Sequence, residues 1–544
     1  MTSAIVIGSG AGGSVAALEL VRAGFDVVVL EKGRNLLPGL GGPGPVGSLF
    51  GNDEVKGGRY FEDQDIVLEP RTSRTQAEAN QGVARSFVGD VNTLPTTVGG
   101  GTIHWDAKTP RFWKQDFAGL SLFGPVPGAN VADWPLSYED LAPFYDEIER
   151  RLGVQGDVAA MPAATLAQAP RRHQFVMPPN PPMYAPRCNS CGFCSGFGCP
   201  INARGSAALN FLHPAIRAGA ELRPRAFAFR IDLNAGGTAA RGVSYVDEGG
   251  KVRREEADVV IVAASAMETA RLLLLSATSH APHQAGLGNR SGQLGANLMF
   301  HFFTLAVASF ASNVHAWRGP ASTFTLDDLV GPFRGPEAQA AGLPYLKGGI
   351  CEVGAGVLLL AEAQLYAFLQ GLIGAPHKDA MRASGFREHL AAIQLVGEDM
   401  PQLGNRVDLD PGIRDVYGFP VPRITHSSHP FELASSEHLG GQLAAICNAT
   451  PGVVASQILP TTTLGGALGT AHIMGTARMG DDASSSVVDP WGRVHDLDNV
   501  YLADGSVFVS AGGFNPTLTI MALSLRMARH LAGRGSGPGD AGSS

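Results

Sequence analysis

The sequence predicts an α/β fold that opens with a Rossmann-type dinucleotide-binding unit. Residues 4–7 are uniformly apolar and predict a buried strand. Residues 12–23 carry apolar side chains at helical spacing, and residues 26–30 form a second apolar run. A strand, a helix and a second strand in this order are typical of the β-α-β unit of a parallel sheet. We therefore expect an α/β fold class.

A glycine-rich loop joins the first strand to the helix. Gly8 allows a tight turn, Gly10 lets a pyrophosphate approach the backbone, and Gly13 lets the helix pack on the strand. Ser9 lies inside this loop, next to a helix N-terminus that favours anions. Glu31 ends the second strand, where a carboxylate accepts hydrogen bonds from ribose hydroxyls and disfavours a 2′-phosphate. The loop predicts a bound dinucleotide, and its glycines do not separate FAD from NAD.

Size and composition indicate a globular chain of several domains. The 544 residues are enough for two or three domains, with 44% hydrophobic and 17% charged residues. A net charge of -8 gives no electrostatic reason to expect nucleic acid or an anionic membrane as a partner. No apolar run reaches the roughly 18 residues of a transmembrane helix. A strand begins at once, leaving no room for a signal peptide, so we expect a cytoplasmic location, although a carrier subunit could export the folded protein.

Two C-terminal segments supply candidate reactive residues. Asn515 and Pro516 precede an apolar-periodic run at 518–531, which predicts a helix capped by Asn515 with its positive end exposed. That end would stabilise an anionic reduced cofactor, and the Asn515 amide could meet a substrate oxygen. His472 lies in a glycine-flanked segment, and the ordinary pKa of imidazole suits a base near neutral pH. An isolated histidine is more often a satisfied core residue, so the setting of His472 decides between the two interpretations.

The setting of His472 resembles the closing signature of the glucose-methanol-choline (GMC) oxidoreductase family. This long motif occupies residues 472–480, 486–489, 493–494, 499–501, 504–506 and 515–520. Together with the opening loop and residues 98–102, the resemblance spans the chain and weakens only in the middle. It implies a Rossmann-type FAD-binding domain with a discontinuous α+β substrate-binding domain, in which helices flank an antiparallel sheet.

The resemblance also implies roles for individual residues. FAD rather than NAD is the expected cofactor, with His472 as the base and Asn515 as its partner in a recognised His/Asn variant of the pair. Asp504 would approach the ribityl or pyrophosphate region. The other expected contacts to FAD are Gly100, Gly101, Pro516 and Thr517. His301 resembles a position near the substrate cavity, although a core histidine is an equal alternative.

These expectations divide the chain into six segments. They are the first FAD-binding segment (1–125), a lid or loop region with clustered cysteines (126–200), the second FAD-binding segment (201–300), the substrate-binding domain (301–461), the third FAD-binding segment with the catalytic pair (462–532) and a disordered tail (533–544). Local patterns predict helices over 136–153, 203–218 and 265–276, and strands over 226–233, 241–246 and 258–263. A capping pattern at residues 136–140 starts the first of these helices.

A histidine in the first third of the chain is a candidate for holding the flavin. Residues 99–112 resemble a segment of pyranose oxidases and of several bacterial FAD-dependent sugar dehydrogenases. In the pyranose oxidases, the histidine at the position of His104 bonds covalently to the flavin 8α-methyl group. The resemblance therefore implies a covalent FAD at His104, which would raise the flavin potential and prevent loss of the cofactor. The alternative is a histidine that packs beside the isoalloxazine ring of a dissociable FAD.

Four of the six cysteines crowd into one short segment: Cys188, Cys191, Cys194 and Cys199. Their spacing is close to a ferredoxin ligand pattern, with one extra residue before the last cysteine. Some cytochrome-linked sugar dehydrogenases of the family are similar in this region. An iron–sulfur cluster that passes electrons to an external carrier is therefore one prediction. Structural zinc, disulfides and plain thiols are the alternatives.

The resemblance predicts an FAD-dependent enzyme that oxidises a CH–OH group, with proton transfer to His472 and hydride transfer to flavin N5. Residues 102–112 favour a sugar, glycoside or polyol as substrate, with oxygen, a quinone or a redox protein as electron acceptor. The alternatives are the same chemistry on a long-chain or steroid alcohol, a flavin-bearing lyase of the same fold, and an NAD-binding module without flavin. An oligomer is compatible with the sequence.

Overall fold

The computed structural model describes the chain in stretches separated by gaps. These are residues 1–37, 39–42, 70–88, 96–155, 175–176, 198–199, 202–317, 322, 324–355, 362–363, 366–367, 370–383, 385–461 and 472–533. The tail from residue 534 and three of the clustered cysteines, Cys188, Cys191 and Cys194, lie outside the described residues. Within the described stretches, no helix combines the length and hydropathy that crossing a bilayer requires.

The described residues form helices and strands that alternate along the chain. The strands are β1 (Ser3–Ile7), β2 (Asp26–Leu30), β3 (Pro70–Arg74), β4 (Arg85–Val88), β5 (Val154–Gln155), β6 (Phe175–Val176), β7 (Glu221–Arg223), β8 (Phe227–Leu233), β9 (Ala240–Val246), β10 (Val252–Glu256), β11 (Val259–Val262), β12 (His301–Phe310), β13 (Phe324–Leu326), β14 (Cys351–Ala355), β15 (Leu390–Glu398), β16 (Arg406–Arg414), β17 (Pro420–Thr425), β18 (Val453–Thr461) and β19 (Val500–Leu502). The α-helices are α1 (Ala11–Arg22), α2 (Gln76–Asn80), α3 (Gly119–Phe123), α4 (Tyr138–Leu152), α5 (His213–Arg217), α6 (Ala266–Leu275), α7 (Pro336–Ala340), α8 (Gly374–Ala383), α9 (Phe386–His389), α10 (Pro430–Ala449) and α11 (Thr517–Leu531).

The expected dinucleotide-binding unit is a parallel sheet in the order β19-β11-β1-β2-β7. Strand β1 is central because its apolar side chains are buried on both faces, as in sheets covered by helices on either side. The strands come from distant regions of the chain, since β19 pairs with β11 and β11 pairs with β1. Helix α1 follows β1, and α11 packs against α1. The sheet therefore brings the C-terminal segments beside the glycine loop.

A second sheet is antiparallel throughout, in the order β13-β14-β15-β12-β18. Helix α10 covers one face of this sheet, where Leu439 and Leu443 share an apolar core with Phe302. This arrangement confirms the expected antiparallel sheet flanked by helices. Strand β12 begins at His301 and strand β14 contains Glu352, so this sheet delivers polar side chains to the site.

The local predictions agree with the structure to different degrees. Helix α4 has the predicted capping box, in which Ser137 and Asp140 each bond the other's backbone N–H. Residues 203–218 do not form one regular helix, because a π-helical turn over Ala208–Leu212 precedes α5. Strand β10 was not predicted, since its exposed charged side chains show no apolar alternation. Residues Gly100–Ile103 form a 3₁₀ turn.

The close contact between Gly12 in helix α1 and the carbonyl group of Ala503 yields a stability prediction. A Cβ on Gly12 would lie 1.5 Å from the carbonyl oxygen of Ala503, so Gly12→Ala should lower the free energy of unfolding. Overpacking of this kind costs about 1–3 kcal/mol or more. Gly441→Ala is the matched control, because Gly441 lies in α10 with no atom within 4 Å of an added Cβ. Alanine should stabilise that helix by about 1 kcal/mol. Urea unfolding that ranks the two variants in the opposite order would contradict this packing.

Candidate active site

One cavity of about 600 Å³ extends from the glycine loop to the C-terminal segments. Most of the predicted cofactor and catalytic residues line it: Gly8, Gly10, Glu31, Gly100, Gly101, His104, His472, Asp504, Asn515, Pro516 and Thr517. Ser9 and Gly13 stand behind its wall, where both are buried. The fold therefore gathers residues from both ends of the sequence around a single space.

At Gly8, Gly13 and Gly100 the backbone is so closely packed that a side chain does not fit. A Cβ on Gly13 would lie 2.0 Å from the carbonyl oxygen of Gly8, and Gly8 has a left-handed φ of +98°. Gly100, at φ +56°, approaches the loop so closely that its Cβ would lie 2.8 Å from Gly10 Cα. The two glycine segments form a bare backbone cradle beside the N-terminus of α1, where unpaired N–H groups favour phosphate.

Glu31 and Ser9 fix the glycine loop from behind. Glu31 Oε2 accepts hydrogen bonds from Ser9 N at 2.9 Å and Ser9 Oγ at 2.6 Å, and its Oε1 accepts from Gly33 N at 2.7 Å. Ser9 Oγ accepts in turn from Gly99 N at 2.9 Å. A carboxylate has about four acceptor positions. Glu31 therefore holds the loop and keeps capacity for a ribose hydroxyl.

Asp504 lies on the cavity wall between the two ends of the site. Its Oδ1 accepts from the backbone N–H of Ser506 at 2.8 Å, and its Oδ2 accepts from Thr269 Oγ1 at 2.5 Å. Burial raises the pKa of this carboxyl group. The side chain joins the turn Gly505–Val507 to helix α6, which carries Thr269.

Asn515 does not cap the helix that follows it. Helix α11 begins at Thr517 with Pro516 as its N-cap residue, and no side chain caps its backbone. The predicted capping role of Asn515 is therefore wrong. Its Nδ2 donates instead to Glu352 Oε1 at 3.0 Å, because a buried carboxylate is a strong acceptor for an amide. The N-terminus of α11 still lines the cavity through Pro516 and Thr517.

His472, His301 and Asn515 meet at the reactive end of the cavity. Nδ1 of His472 lies 2.8 Å from Nδ1 of His301, and Nε2 of His472 lies 3.3 Å from Asn515 Nδ2. Burial is the main cause that lowers the pKa of His472 well below 6.5, and the neighbouring His301 and Lys108 act in the same direction. The imidazole is therefore neutral at neutral pH, as a proton acceptor must be.

An ion cluster that the sequence did not predict lies next to Asn515. Glu352 Oε2 accepts from Lys108 Nζ at 2.5 Å and from Gln394 Nε2 at 3.2 Å. Lys108 Nζ also pairs with Asp106 Oδ2 at 3.1 Å. Burial disfavours the charged form of Lys108, but the carboxylates of Glu352 and Asp106 outweigh it and raise the pKa of Lys108. Two carboxylates against one ammonium make this end of the cavity net negative.

His104 lies on the cavity wall directly after the turn Gly100–Ile103. Arg204 donates to the carbonyl oxygen of Ile103 at 2.6 Å and to that of Trp105, the two residues that flank His104. Burial and, second to it, the charge of Arg204 lower the pKa of His104 to about 4. The structure therefore places a neutral imidazole at the predicted position.

Of the clustered cysteines, Cys199 is the one that the structure describes; it is half-buried and forms no disulfide with another described cysteine. Cys188, Cys191 and Cys194 lie outside the described residues, so the iron–sulfur cluster stays a prediction. Among the residues that the structure describes, no group of three or more His, Cys, Asp or Glu side chains could hold a metal ion.

Comparison with known proteins shows which protein family this chain resembles. The sequence profiles of the GMC oxidoreductase family match residues 129–303 and 401–524, and a profile of NAD(P)-binding Rossmann-like domains matches residues 6–40. Paromamine 6'-oxidase from Streptomyces fradiae is 30% identical over 97% of this chain and 91% of its own length. The chain belongs to the GMC oxidoreductase family. It is therefore an oxidoreductase of the class that acts on alcohols and sugars, and the family implies FAD as cofactor.

Other similar proteins extend the comparison. The fructose dehydrogenase large subunit from Gluconobacter japonicus is 28% identical over 96% of this chain and 96% of its own length. Among solved structures, formate oxidase from Aspergillus oryzae superposes with a TM-score of 0.57, at 15% identity over 98% of both chains. That likeness confirms the α/β fold with its antiparallel sheet domain.

The cavity of this GMC protein fits FAD. The bare cradle of Gly10 and Gly100 leaves room for a pyrophosphate, and the N-termini of α1 and α11 both line the cavity. Asn515 Oδ1 is buried and has no hydrogen-bond partner among the described residues, so it offers an acceptor to a bound molecule.

The buried ion cluster yields a second stability prediction. Lys108→Met should lower the free energy of unfolding of the holoenzyme by about 3–5 kcal/mol, because it leaves the buried carboxylate of Glu352 without its cation. The double variant Lys108→Met/Glu352→Gln should recover some of this loss, as a double-mutant cycle by thermal unfolding would show.

The matched control is Lys114→Met, which removes an exposed lysine paired with Glu139. Surface pairs of this kind contribute little to stability. A loss at Lys108 no larger than the loss at Lys114 would contradict a buried ion cluster.

Proposed function

We propose that this GMC oxidoreductase oxidises a CH–OH group of a sugar, glycoside or polyol, with His472 as the base. The observation that carries the proposal is a single cavity with the dinucleotide cradle at one end and the His472–Asn515 pair at the other. FAD, when bound, supplies the hydride acceptor at its N5 atom. The chain itself supplies the base and the groups that orient the substrate hydroxyl.

The His472–Asn515 pair suits a hydroxyl group because it offers an acceptor and a donor side by side. The hydroxyl proton passes to Nε2 of His472, the ring nitrogen next to Asn515. The Asn515 amide donates to the hydroxyl oxygen, which replaces the 3.3 Å contact between the two side chains. Glu352 holds the amide in this orientation from its other side. A substrate oxygen is thereby held with its proton directed at the base.

The polar lining of the reactive end supports a polyhydroxylated substrate. Asp106, Lys108, Glu352 and Gln394 line the cavity close to the catalytic pair. A sugar or polyol can exchange hydrogen bonds with these groups, whereas a long-chain or steroid alcohol would desolvate them without replacement. The similarity to a paromamine oxidase and to a fructose dehydrogenase supports the same class of substrate.

The first test of the proposal is His472→Ala in an anaerobic stopped-flow screen of sugars, glycosides and polyols. Loss of the base should slow flavin reduction by about 10²–10⁴-fold, while the flavin absorbance of the purified protein is retained. His438→Ala is the control, because His438 lies on α10 outside the cavity lining. Near-normal flavin reduction in His472→Ala would exclude His472 as the base.

The unaltered enzyme should show the lowered pKa of His472 in its pH profile. Because burial keeps the imidazole neutral, the rate of flavin reduction should hold as the pH falls through 6.5, the ordinary histidine value. The rate should be lost only at lower pH, when His472 itself takes up a proton. A profile that falls at the ordinary histidine pKa would argue against a buried base.

We further propose His104 as the site of a covalent bond to FAD. Its neutral, cavity-lining imidazole is the nucleophilic form that such a bond requires. After acid precipitation, flavin absorbance should stay with the protein pellet, and His104→Ala should release it to the supernatant. Flavin left entirely in the supernatant of the unaltered protein would show that FAD is held without a covalent bond.

A further inference from the structure

His301 lies buried at the start of β12 with partners on both ring nitrogens. Its Nε2 lies 3.1 Å from the carbonyl oxygen of Ala511 and 3.2 Å from that of Gly512. Its Nδ1 lies 2.8 Å from Nδ1 of His472. Carbonyl oxygens only accept hydrogen bonds, so Nε2 of His301 carries a hydrogen.

The hydrogen on His301 Nε2 determines the hydrogen on His472. Burial lowers the pKa of His301 to about 4, so at neutral pH its ring carries a single N–H hydrogen. Nδ1 of His301 is therefore a lone pair. Across the 2.8 Å contact, Nδ1 of His472 must be the donor. A neutral His472 with hydrogen on Nδ1 has its own lone pair on Nε2.

Asn515 points to the same tautomer from the opposite side of the ring. The Glu352 carboxylate accepts from Asn515 Nδ2 at 3.0 Å, and this contact fixes which end of the amide is the NH₂ group. The second hydrogen of that NH₂ group points to Nε2 of His472 at 3.3 Å. An N–H donor requires a lone pair there. Two independent contacts thus agree on the hydrogen position.

We propose that His301 is a positioning residue that holds His472 in the tautomer whose Nε2 lone pair faces the substrate. The inference rests on the proposed function, in which His472 takes the hydroxyl proton. When Nε2 accepts that proton, Nδ1–H of His472 stays bonded to His301. The base therefore changes charge without exchanging its partner, and His301 keeps its own hydrogen throughout.

The carbonyl groups that orient His301 are themselves fixed by the antiparallel sheet. His301 stands directly opposite Glu398 on β15. Glu398 Oε1 accepts from the backbone N–H of Gly512 at 3.2 Å, and its Oε2 pairs with the buried Lys347 at 2.8 Å. A Cβ on Gly513 would lie 2.3 Å from Gly349 Cα, so segments 511–513 and 348–350 are in close contact. The support behind His301 is therefore rigid.

The direct test reads the hydrogen position without measuring turnover. In [¹⁵N]histidine-labelled oxidised holoenzyme at neutral pH, His472 should show a protonated Nδ1 and an unprotonated Nε2. The His472→Gln protein, compared with the unaltered one, assigns the resonance. Protonation of Nε2 in the unaltered enzyme would overturn the inference.

The kinetic test compares His301→Leu with His301→Gln. Leucine removes the acceptor, so both tautomers compete and the protonated base loses a partner; the limiting rate of anaerobic flavin reduction should fall by about 10–100-fold. The dissociation constant of the substrate should stay unchanged. Glutamine offers an amide oxygen to His472 and an NH₂ group to the carbonyl groups, and should restore most of the rate.

His283→Leu is the matched control, because it removes a buried histidine that bonds the carbonyl oxygen of Gly237 away from the cavity. This variant should keep the rate of flavin reduction. A rate within about twofold of normal in His301→Leu would overturn the role of His301 while the proposed function stands. Near-normal reduction in His472→Ala would instead remove the proposed function itself. If His301→Leu does not fold, the ¹⁵N spectrum of the unaltered enzyme decides the question.

Discussion

The geometry of the site depends on one close backbone approach, between Gly12 in α1 and the carbonyl group of Ala503. A Cβ on Gly12 would lie 1.5 Å from that oxygen, so only glycine permits the contact. Two residues further on, a Cβ on Gly505 would lie 2.5 Å from the carbonyl oxygen of Ile473. Helix α1 is thereby linked to Ile473, the residue after His472, through two backbone contacts that leave no room for a side chain. Cofactor cradle and base share one rigid frame.

The two sheets contribute different elements of the site. The parallel sheet forms the cradle through the loop after β1 and the carboxylate after β2. The antiparallel sheet supplies polar side chains at the reactive end, with Glu352 on β14 and Gln394 on β15 lining the cavity and His301 on β12 behind His472. The segment of His472 links them, because Met474 pairs with Met299 in a short bridge just before β12. The glycine cradle and the polar lining of the reactive end can therefore vary on separate elements.

The sequence predicted what is local and missed what depends on strand register. The glycine loop, Glu31 and His472 each lie in a contiguous motif, and the structure brings them to one cavity. The contact of Glu352 with Lys108 joins residues 244 positions apart, and no short pattern contains it. A helix-cap preference is a weak local effect, and at Asn515 it is overridden by a buried carboxylate from β14. The contacts that the sequence did not predict are those between side chains far apart in the chain.

The place of β19 has a consequence for how the protein is made. This strand, residues 500–502, completes one edge of the sheet whose centre is the first strand of the chain. Asp504, Asn515 and the N-terminus of α11 complete the cavity wall just after it. During synthesis the glycine loop leaves the ribosome hundreds of residues before these segments, and the cavity cannot form until they have followed. The cavity is therefore complete only after residues 500–517 have been made, so the cradle at the glycine loop stays open on one side until then.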